Sequence, residues 1–335
     1  MNSLKKIIFF FPSLIFGFFN GFTIYLYKRK ILRPKKYEAK IISIGNLIMG
    51  GAGKTPTVEY LANYFIKKNI YFAIISRGYK RETKGMVVAD ENDNFKSIGD
   101  EPAQYFKKFS KYSKIIVSED REIALSFCDK NKIKYVILDD AFQNLKFEKD
   151  LNVLVSSFYK PFFYDDLFPM GMLRESKNNA KRADILIFSN CPDRISSEKL
   201  NRFKIKSQYY LSEKTPILFS TIKYKEPVKI YGKSLKKDVI VISSIAYPEL
   251  FYQQVSSKYN IIEIIKFKDH HKYSDYDIEK ISTKLNDDVS LMTTEKDAVK
   301  LCEYGELLSS YNVYYVPISI DFLFDDFLLK RLEKL

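Results

Sequence analysis

An α/β protein, with a mainly parallel sheet covered by helices on both faces, a smaller C-terminal α/β unit and an N-terminal membrane-associated helix, is predicted by three observations. From residue 39 onward, short apolar runs alternate with stretches of helical period, as in strands covered by helices. A second series of the same kind begins near Val239, after a polar stretch, 223–237, that contains Pro227 and Gly232. The first 36 residues differ from both: they carry Lys5, Lys6, Lys28, Arg29, Lys30, Arg33, Lys35 and Lys36 and no acidic residue. Eight units of the +14 net charge therefore sit in the first tenth of the 335 residues. The expected organisation is an apolar and basic helix over 1–36, a core over 37–222 and a smaller unit over 223–335.

Composition narrows the class. Hydrophobic residues at 46% and charged residues at 29% are ordinary for a globular protein and exclude fibrous and disordered chains. Cys128, Cys191 and Cys302 are far apart and odd in number, which argues against a disulfide framework or a cysteine zinc site and fits a reducing compartment. His270 and His271 are the only histidines, so any histidine chemistry runs through that pair. No nucleic-acid partner and no obligate protein partner is expected.

Residues 7–27 carry no charge, and 21 residues at about 1.5 Å each just cross a hydrocarbon core of about 30 Å. Pro12, Gly17, Asn20 and Gly21 weaken a straight spanning helix, so spanning the membrane and lying in its interface both stay open. No small-residue cleavage site follows. The basic cluster at 28–36 opposes export and keeps the rest of the chain on the cytoplasmic side. A buried core helix is the bland alternative, against which the basic flanks argue.

Next, Ile41–Ile44 reads as a buried strand, and Val58, Leu61, Ala62 and Phe65 fall on one helix face. Further strand-like runs lie at 71–76, 114–117, 135–138, 151–156 and 184–188, with helical stretches at 101–109 and 119–128. The second series has strands from 239, at 260–265, 289–293 and 312–318, and a helix at about 274–286. Between the first strand and helix lies a glycine-rich loop, residues 45–55. A phosphate-binding loop needs glycines whose N–H groups curl round phosphate oxygens, a lysine that reaches the β and γ phosphates, and a hydroxyl for Mg²⁺. Gly50, Gly51, Gly53, Lys54 and Thr55 supply these, and Ile48, Met49 and Ala52 complete the set that lines the nucleotide. The strict pattern has glycine where Ile48 stands, but the strand and helix on either side are those the motif requires. The plain alternative is a glycine-rich turn with an incidental Lys-Thr.

The strand at 135–138 ends in Asp139 and Asp140, placed as the acids that hold Mg²⁺ in P-loop enzymes. The sheet is thus read as P-loop NTPase-like, with ATP and Mg²⁺ as its cofactors. Membrane-associated partitioning ATPases carry a lysine where Met49 stands, which counts against that class.

Several blocks then resemble one family in order: Ser43-Ile44-Gly45-Asn46 leading into Gly50–Pro56, Ser76-Arg77-Gly78-Tyr79, Gly99-Asp100-Glu101-Pro102, Asp139–Gln143, Gly171–Glu175, Asp269-His270-His271 and Thr293–Ala298. They resemble the tetraacyldisaccharide 4′-kinases, the lipid A kinases of Gram-negative bacteria, over about residues 40–300. The basic, apolar N-terminus resembles that family's membrane-binding helix. Asn144 departs from the family's usual histidine, and Met170 and Met172 stand in a segment that more often reads PAGPLRE.

The resemblance implies transfer of the γ-phosphate of ATP to the 4′-hydroxyl of tetraacyldisaccharide 1-phosphate, giving lipid IVA, at the cytoplasmic face of the inner membrane. It implies Asp100 as proton acceptor and His270 as its tuning or orienting partner; Lys54, read from the phosphate-binding loop, is the third catalytic candidate. Asp100 also suits an N-cap ahead of Glu101-Pro102, and His271 is the less favoured histidine. Thr55, Asp139, Asp140 and Glu175 are the metal candidates. Arg77, Glu101, Arg121, Gln143 and Arg174 are candidate substrate contacts, the arginines as phosphate clamps; each equally suits a surface ion pair. Thr293–Asp297 reads as a structural strand end and helix cap. The rival readings are a membrane-bound P-loop ATPase switch and a kinase for another lipid-linked sugar.

Overall fold

The computed structural model describes residues 3–324 and 327–335, with side chains from Ile8 onward in the first helix, so Lys5 and Lys6 lie outside the described side chains. The first sheet grows from β1 (Lys40–Gly45), buried from Ile41 on. On one side β1 pairs parallel with β5 (Tyr135–Asp139), followed by β2 (Phe72–Ser76) and β4 (Ser113–Val117), and β3 (Val87–Val88) closes that edge antiparallel. On the other side β6 (Leu151–Ser157), β7 (Ile185–Ser189) and β8 (Ile217–Tyr224) follow in parallel.

Strands covered on both faces are apolar without alternation, and their side chains feed three clusters. Ile42, Ile44, Ile74 and Ile137 pack with α2 (Lys54–Lys67) and α4 (Asp100–Phe109), which follows the short α3 (Phe95–Ile98). Ile41, Ile75, Val136 and Leu138 pack with α5 (Arg121–Lys130). Over β6 and β7, α6 (Ser197–Gln208) contributes Phe203, stacked on Phe158 with ring centroids 4.6 Å apart.

The second sheet has the order β11 (Asn260–Lys266), β10 (Asp238–Ser243), β12 (Val289–Thr294), β13 (Asn312–Val316) and β9 (Val228–Tyr231), parallel except for β9. Its helices are α7 (Glu249–Ser256), α8 (Asp275–Ser282), α9 (Glu295–Leu301) and α10 (Gly305–Leu308). Two details differ from expectation. The polar stretch 223–237 contains β9, an exposed edge strand. The run 312–318 is two strands, because Pro317 cannot donate to a ladder: after it, β14 (Ile318–Phe322) leaves the second sheet and pairs antiparallel with β8 of the first. α11 (Phe327–Leu332) then buries Leu328 and Leu332 in the core under α2.

At the other end, α1 (Ser3–Lys28) runs unbroken through Pro12. Ser13, Gly17, Asn20 and Ile24 recur every three or four residues and make a stripe along one face. The Ser13 hydroxyl donates to the Leu167 carbonyl at 3.0 Å and the Asn20 amide to the Arg174 carbonyl at 3.3 Å. A Cβ on Gly17 would come within 2.9 Å of Leu167. Away from this stripe, Phe11, Ile15, Phe18, Phe19 and Phe22 are exposed. The helix is long and apolar enough to cross a membrane by length and composition.

Candidate active site

The loop after β1 is bent by residues that need glycine. Gly53 caps α2 with φ of +81°, and a Cβ there would lie 2.6 Å from Ser189 Oγ; only glycine tolerates both the left-handed backbone and the approach. The Ser189 hydroxyl donates to the Ala52 carbonyl at 2.6 Å, tying the loop to the end of β7. Its other limb is held by the Met49 N–H, which donates to Met172 O at 2.9 Å, and by an Ile48–Leu173 bridge. The result is a glycine-rich turn feeding a helix N-terminus, whose free N–H groups and positive end attract phosphate. Lys54 Nζ lies 3.2 Å from Asn46 Oδ1 and 3.5 Å from Asp140 Oδ1.

The two acids at the end of β5 have different surroundings. Asp140, in left-handed backbone with φ of +51°, is gripped by Arg174 Nη1 at 2.9 Å to each oxygen. Burial opposes its charge, but Lys54 and Arg174 outweigh burial and hold the carboxyl down at about 2. Asp139 accepts from Tyr105 Oη at 3.2 Å through Oδ2, while its buried Oδ1 has no partner. Burial, with Asp140 adding to it, raises the Asp139 carboxyl in spite of Lys54. The buried, unpartnered Asp139 oxygen and the hydroxyl of Thr55 in the first turn of α2 are donors of the hard, oxygen type that suits Mg²⁺.

A second cluster joins the two sheets. Gly99, at φ of +94°, packs against the backbone of Gly78 and delivers Asp100 to the first turn of α4. Asp100 is 6% exposed, and its Oδ2 lies 2.8 Å from His270 Nδ1, on the loop after β11. The Tyr79 ring meets the imidazole edge-on at 5.0 Å, and Lys80 donates to the His270 carbonyl at 3.3 Å. Lys296, in the first turn of α9, reaches Glu101 Oε1 at 2.7 Å and His270 Nε2 at 3.1 Å. Burial alone would raise the Asp100 carboxyl; Lys296 and the His270 hydrogen bond reverse this and hold it well below the carboxylate range. Burial pushes Glu101 up to about 7 despite Lys296, with the Asp100 charge adding to burial.

Several expected roles are not what the geometry offers. Glu175 is not at the metal position: Arg182 grips both its oxygens at 2.8 and 2.9 Å, and Asn179 and Gln143 donate to it. Gln143 also donates to the Asn46 carbonyl at 2.8 Å, so this pair braces the phosphate loop from below. Arg121 is buried, with Nη2 on the carbonyls of Asp139 and Asp140 at 2.9 Å each, and so shapes the acid turn. Arg77 is exposed, Arg174 holds Asp140, and His271 pairs with Asp277 at 3.0 Å, apart from Asp100. Lys296 was hidden in a block read as structural. Its signal is a lysine in the first turn of a helix, where the macrodipole disfavours a cation.

What the fold and these groups define together is a P-loop kinase. The model of the tetraacyldisaccharide-1-P 4′-kinase family, LpxK, matches residues 6–334. The tetraacyldisaccharide 4′-kinase of Flavobacterium johnsoniae is 34% identical over 96% of this chain and 94% of its own length, and that of Parabacteroides distasonis is 32% identical over 93% and 89%. The crystal structure of LpxK from Aquifex aeolicus in complex with ATP superposes with a TM-score of 0.77 at 25% identity, covering 98% of both chains. The chain belongs to the tetraacyldisaccharide 4′-kinase family.

Proposed function

We propose that this chain transfers the γ-phosphate of ATP to the 4′-hydroxyl of tetraacyldisaccharide 1-phosphate, forming lipid IVA at the cytoplasmic face of the inner membrane. The observation that carries the reading is the Asp100–His270 pair, 2.8 Å apart, one from the start of α4 over the first sheet and the other from the loop after β11 of the second. A nucleotide-hydrolysing switch has no use for a buried carboxylate–imidazole pair, whereas transfer to a sugar hydroxyl needs a group that takes its proton.

Gly50–Gly53 and the N-terminus of α2 cradle the phosphates, and Lys54 meets the charge that builds up on the transferred group. Thr55 and Asp139 would hold Mg²⁺, with Asp140 beside them. When bound, the ion neutralises phosphate charge. Asp100 accepts the hydroxyl proton while the acceptor oxygen attacks, and His270 keeps the carboxylate oriented. Arg121, Gln143 and Glu175 hold the acid turn and the phosphate loop in register. The exposed aromatic face of α1 and its cationic end suit an anionic bilayer surface. Hydrogen bonds along the opposite face of α1 favour a helix lying in the interface over one that leaves the protein to span. Incubating the purified protein with labelled ATP and a panel of acceptors tests this: label should enter tetraacyldisaccharide 1-phosphate and pass by soluble sugars and polyprenols.

A further inference from the structure

The cluster at the junction of α4 and α9 contains one cation whose contacts dictate where a proton sits. Lys296 Nζ is 3.1 Å from His270 Nε2, 2.7 Å from Glu101 Oε1 and 3.6 Å from Asp100 Oδ2. An ammonium has three donors and no lone pair. Its contact with Nε2 is a hydrogen bond only if Nε2 is the bare nitrogen of the ring. The ring proton is then on Nδ1, which faces the Asp100 carboxylate at 2.8 and 3.1 Å and donates to it. Were the ring doubly protonated, an Nε2–H donor would face an NH₃⁺ donor at hydrogen-bond distance, like charge against like.

We propose that Lys296 is a positioning residue of the phosphotransfer: its ammonium, bonded to His270 Nε2 and Glu101 at once, holds the imidazole neutral in the Nδ1–H tautomer. The ring then donates to Asp100, and the free lone pairs of that carboxylate take the proton of the acceptor hydroxyl. In the step, the acceptor O–H bond breaks and an O–H bond forms on Asp100. The oxygen's electron pair makes the new P–O bond, and the bond to the β-phosphate oxygen breaks toward ADP. This rests on the reading of Asp100 and His270 as the proton-accepting unit and adds what sets its protonation.

The surroundings agree. Glu101 and Asp100, working against burial, hold the Lys296 ammonium above its usual range, so it is present as the cation the argument needs. The groups facing the imidazole are Asp100 and Glu101 from α4, Lys296 from α9, Asp269 at 4.0 Å from its own loop, and the Tyr79 ring from the turn after β2. Lys300, also from α9, stands 3.9 Å from Asp100 Oδ2 but is engaged with Asp297 at 3.0 Å and Ser244 at 2.6 Å. Lys296 is thus the only one of these cations within hydrogen-bond reach of Nε2 among the described residues.

The test compares the full-length enzyme with Lys296→Met and Lys296→Arg in vesicle assays with ATP and tetraacyldisaccharide 1-phosphate. Without the ammonium the ring is free to become imidazolium against Asp100, so the acid limb of kcat in Lys296→Met should move up by about one pH unit. That reads as a tenfold loss below the limb, recovered at high pH, with KM for ATP unchanged. Lys296→Arg, still a cation, should restore the limb. Ring ¹⁵N shifts of the wild-type protein give a readout that needs no variant: His270 should show a protonated Nδ1 and a bare Nε2 at pH 7. A wild-type ring carrying its proton on Nε2, or on both nitrogens, overturns the proposal even if Lys296→Met fails to fold. So does a loss of kcat by the same factor at every pH that arginine does not rescue. If Asp100→Asn turns over normally, the underlying proton-acceptor reading falls, while the tautomer result stands separately.

Discussion

Lys108 joins three helices, and replacing it by methionine gives a stability change whose size depends on pH in a calculable way. Its ammonium lies 2.7 Å from Glu59 of α2 and 2.9 Å from Glu295 of α9, so it binds the phosphate-loop helix and the second sheet to α4. Glu59 also accepts from Gln104 at 2.8 Å. Burial pushes the Glu59 carboxyl up to about 7 from 4.5, in spite of Lys108, with Glu295 adding to burial. A carboxyl raised in the folded state stabilises fully below its unfolded value, and that contribution is lost as pH rises through the folded one. For Glu59 the window runs from about 4.5 to 7, and in Lys108→Met, with the cation gone, it extends higher. At pH 8 the variant must hold Glu59 and Glu295 in a buried site with the cation between them gone and only Gln104 left on Glu59, a cost of about 3–5 kcal/mol. At pH 5 Glu59 is protonated, and the loss shrinks toward that of an ordinary hydrogen bond, about 1 kcal/mol. At about 1.5 °C per kcal/mol for a chain of 335 residues, Tm should fall by about 6 °C at pH 8 and by about 1.5 °C at pH 5. Adding Glu59→Gln should recover much of the loss at pH 8. Scanning calorimetry of wild type, single and double variants measures this. Equal Tm losses at both pH values, or a double variant no better than the single at pH 8, would refute the reasoning.

Lys54→Ala should abolish transfer while leaving the fold intact, as its charge is needed where the phosphates sit; normal turnover in a folded variant would remove the phosphate-loop assignment. Asp139→Asn should weaken the Mg²⁺ dependence of kcat more than Asp140→Asn, because only Asp139 has an oxygen without a partner; Mg²⁺ titrations of both variants check this, and the reverse order would contradict it. Asp100→Asn should cost more turnover than His270→Ala, and the double variant little more than Asp100→Asn alone, since residues acting as a unit are not additive; multiplying losses would separate them. Removing residues 1–36 should release the protein from anionic vesicles, and reversing the charges at 28–36 should do so in part with strong salt dependence; flotation assays read both, and undiminished binding would place the anchor elsewhere.

The parallel strands were legible because burial on both faces leaves unbroken apolar runs, as in Ala73-Ile74-Ile75 or Val136-Ile137-Leu138. The edge strand β9 was not: half exposed, with Lys229 in its middle, it has no reason to be apolar. Pro317 was visible, but a proline says where a strand stops and not which sheet the next one joins. At the site, short motifs put Gly53, Lys54 and Asp139 at the loop, helix start and strand end where the fold has them, because those positions depend on neighbours in sequence. The pairing of Glu175 was not visible because its partner Arg182 stands seven residues on, at the end of the 3₁₀ segment Lys177–Arg182, and a carboxylate's sequence does not show whether its oxygens are already taken. Lys296 escaped because its work depends on Glu101 and His270, which only the fold brings to it.

The return of the chain from Pro317 to the first sheet bears on how the protein is made. Synthesis delivers β1 to β8 first, and N-terminal units generally fold as they emerge. Here the open edge of β8 waits for β14, and the apolar face of α2 waits for Leu328 and Leu332, until the whole second unit has been translated. In the interval an unpaired strand edge is exposed, a template for association with other chains. A message truncated after Pro317 would encode Lys54, Asp100, His270 and Lys296 and still yield an unfinished sheet. For this chain β14 acts as the closing stitch of the fold, tying residues made last to a sheet begun by residues made first.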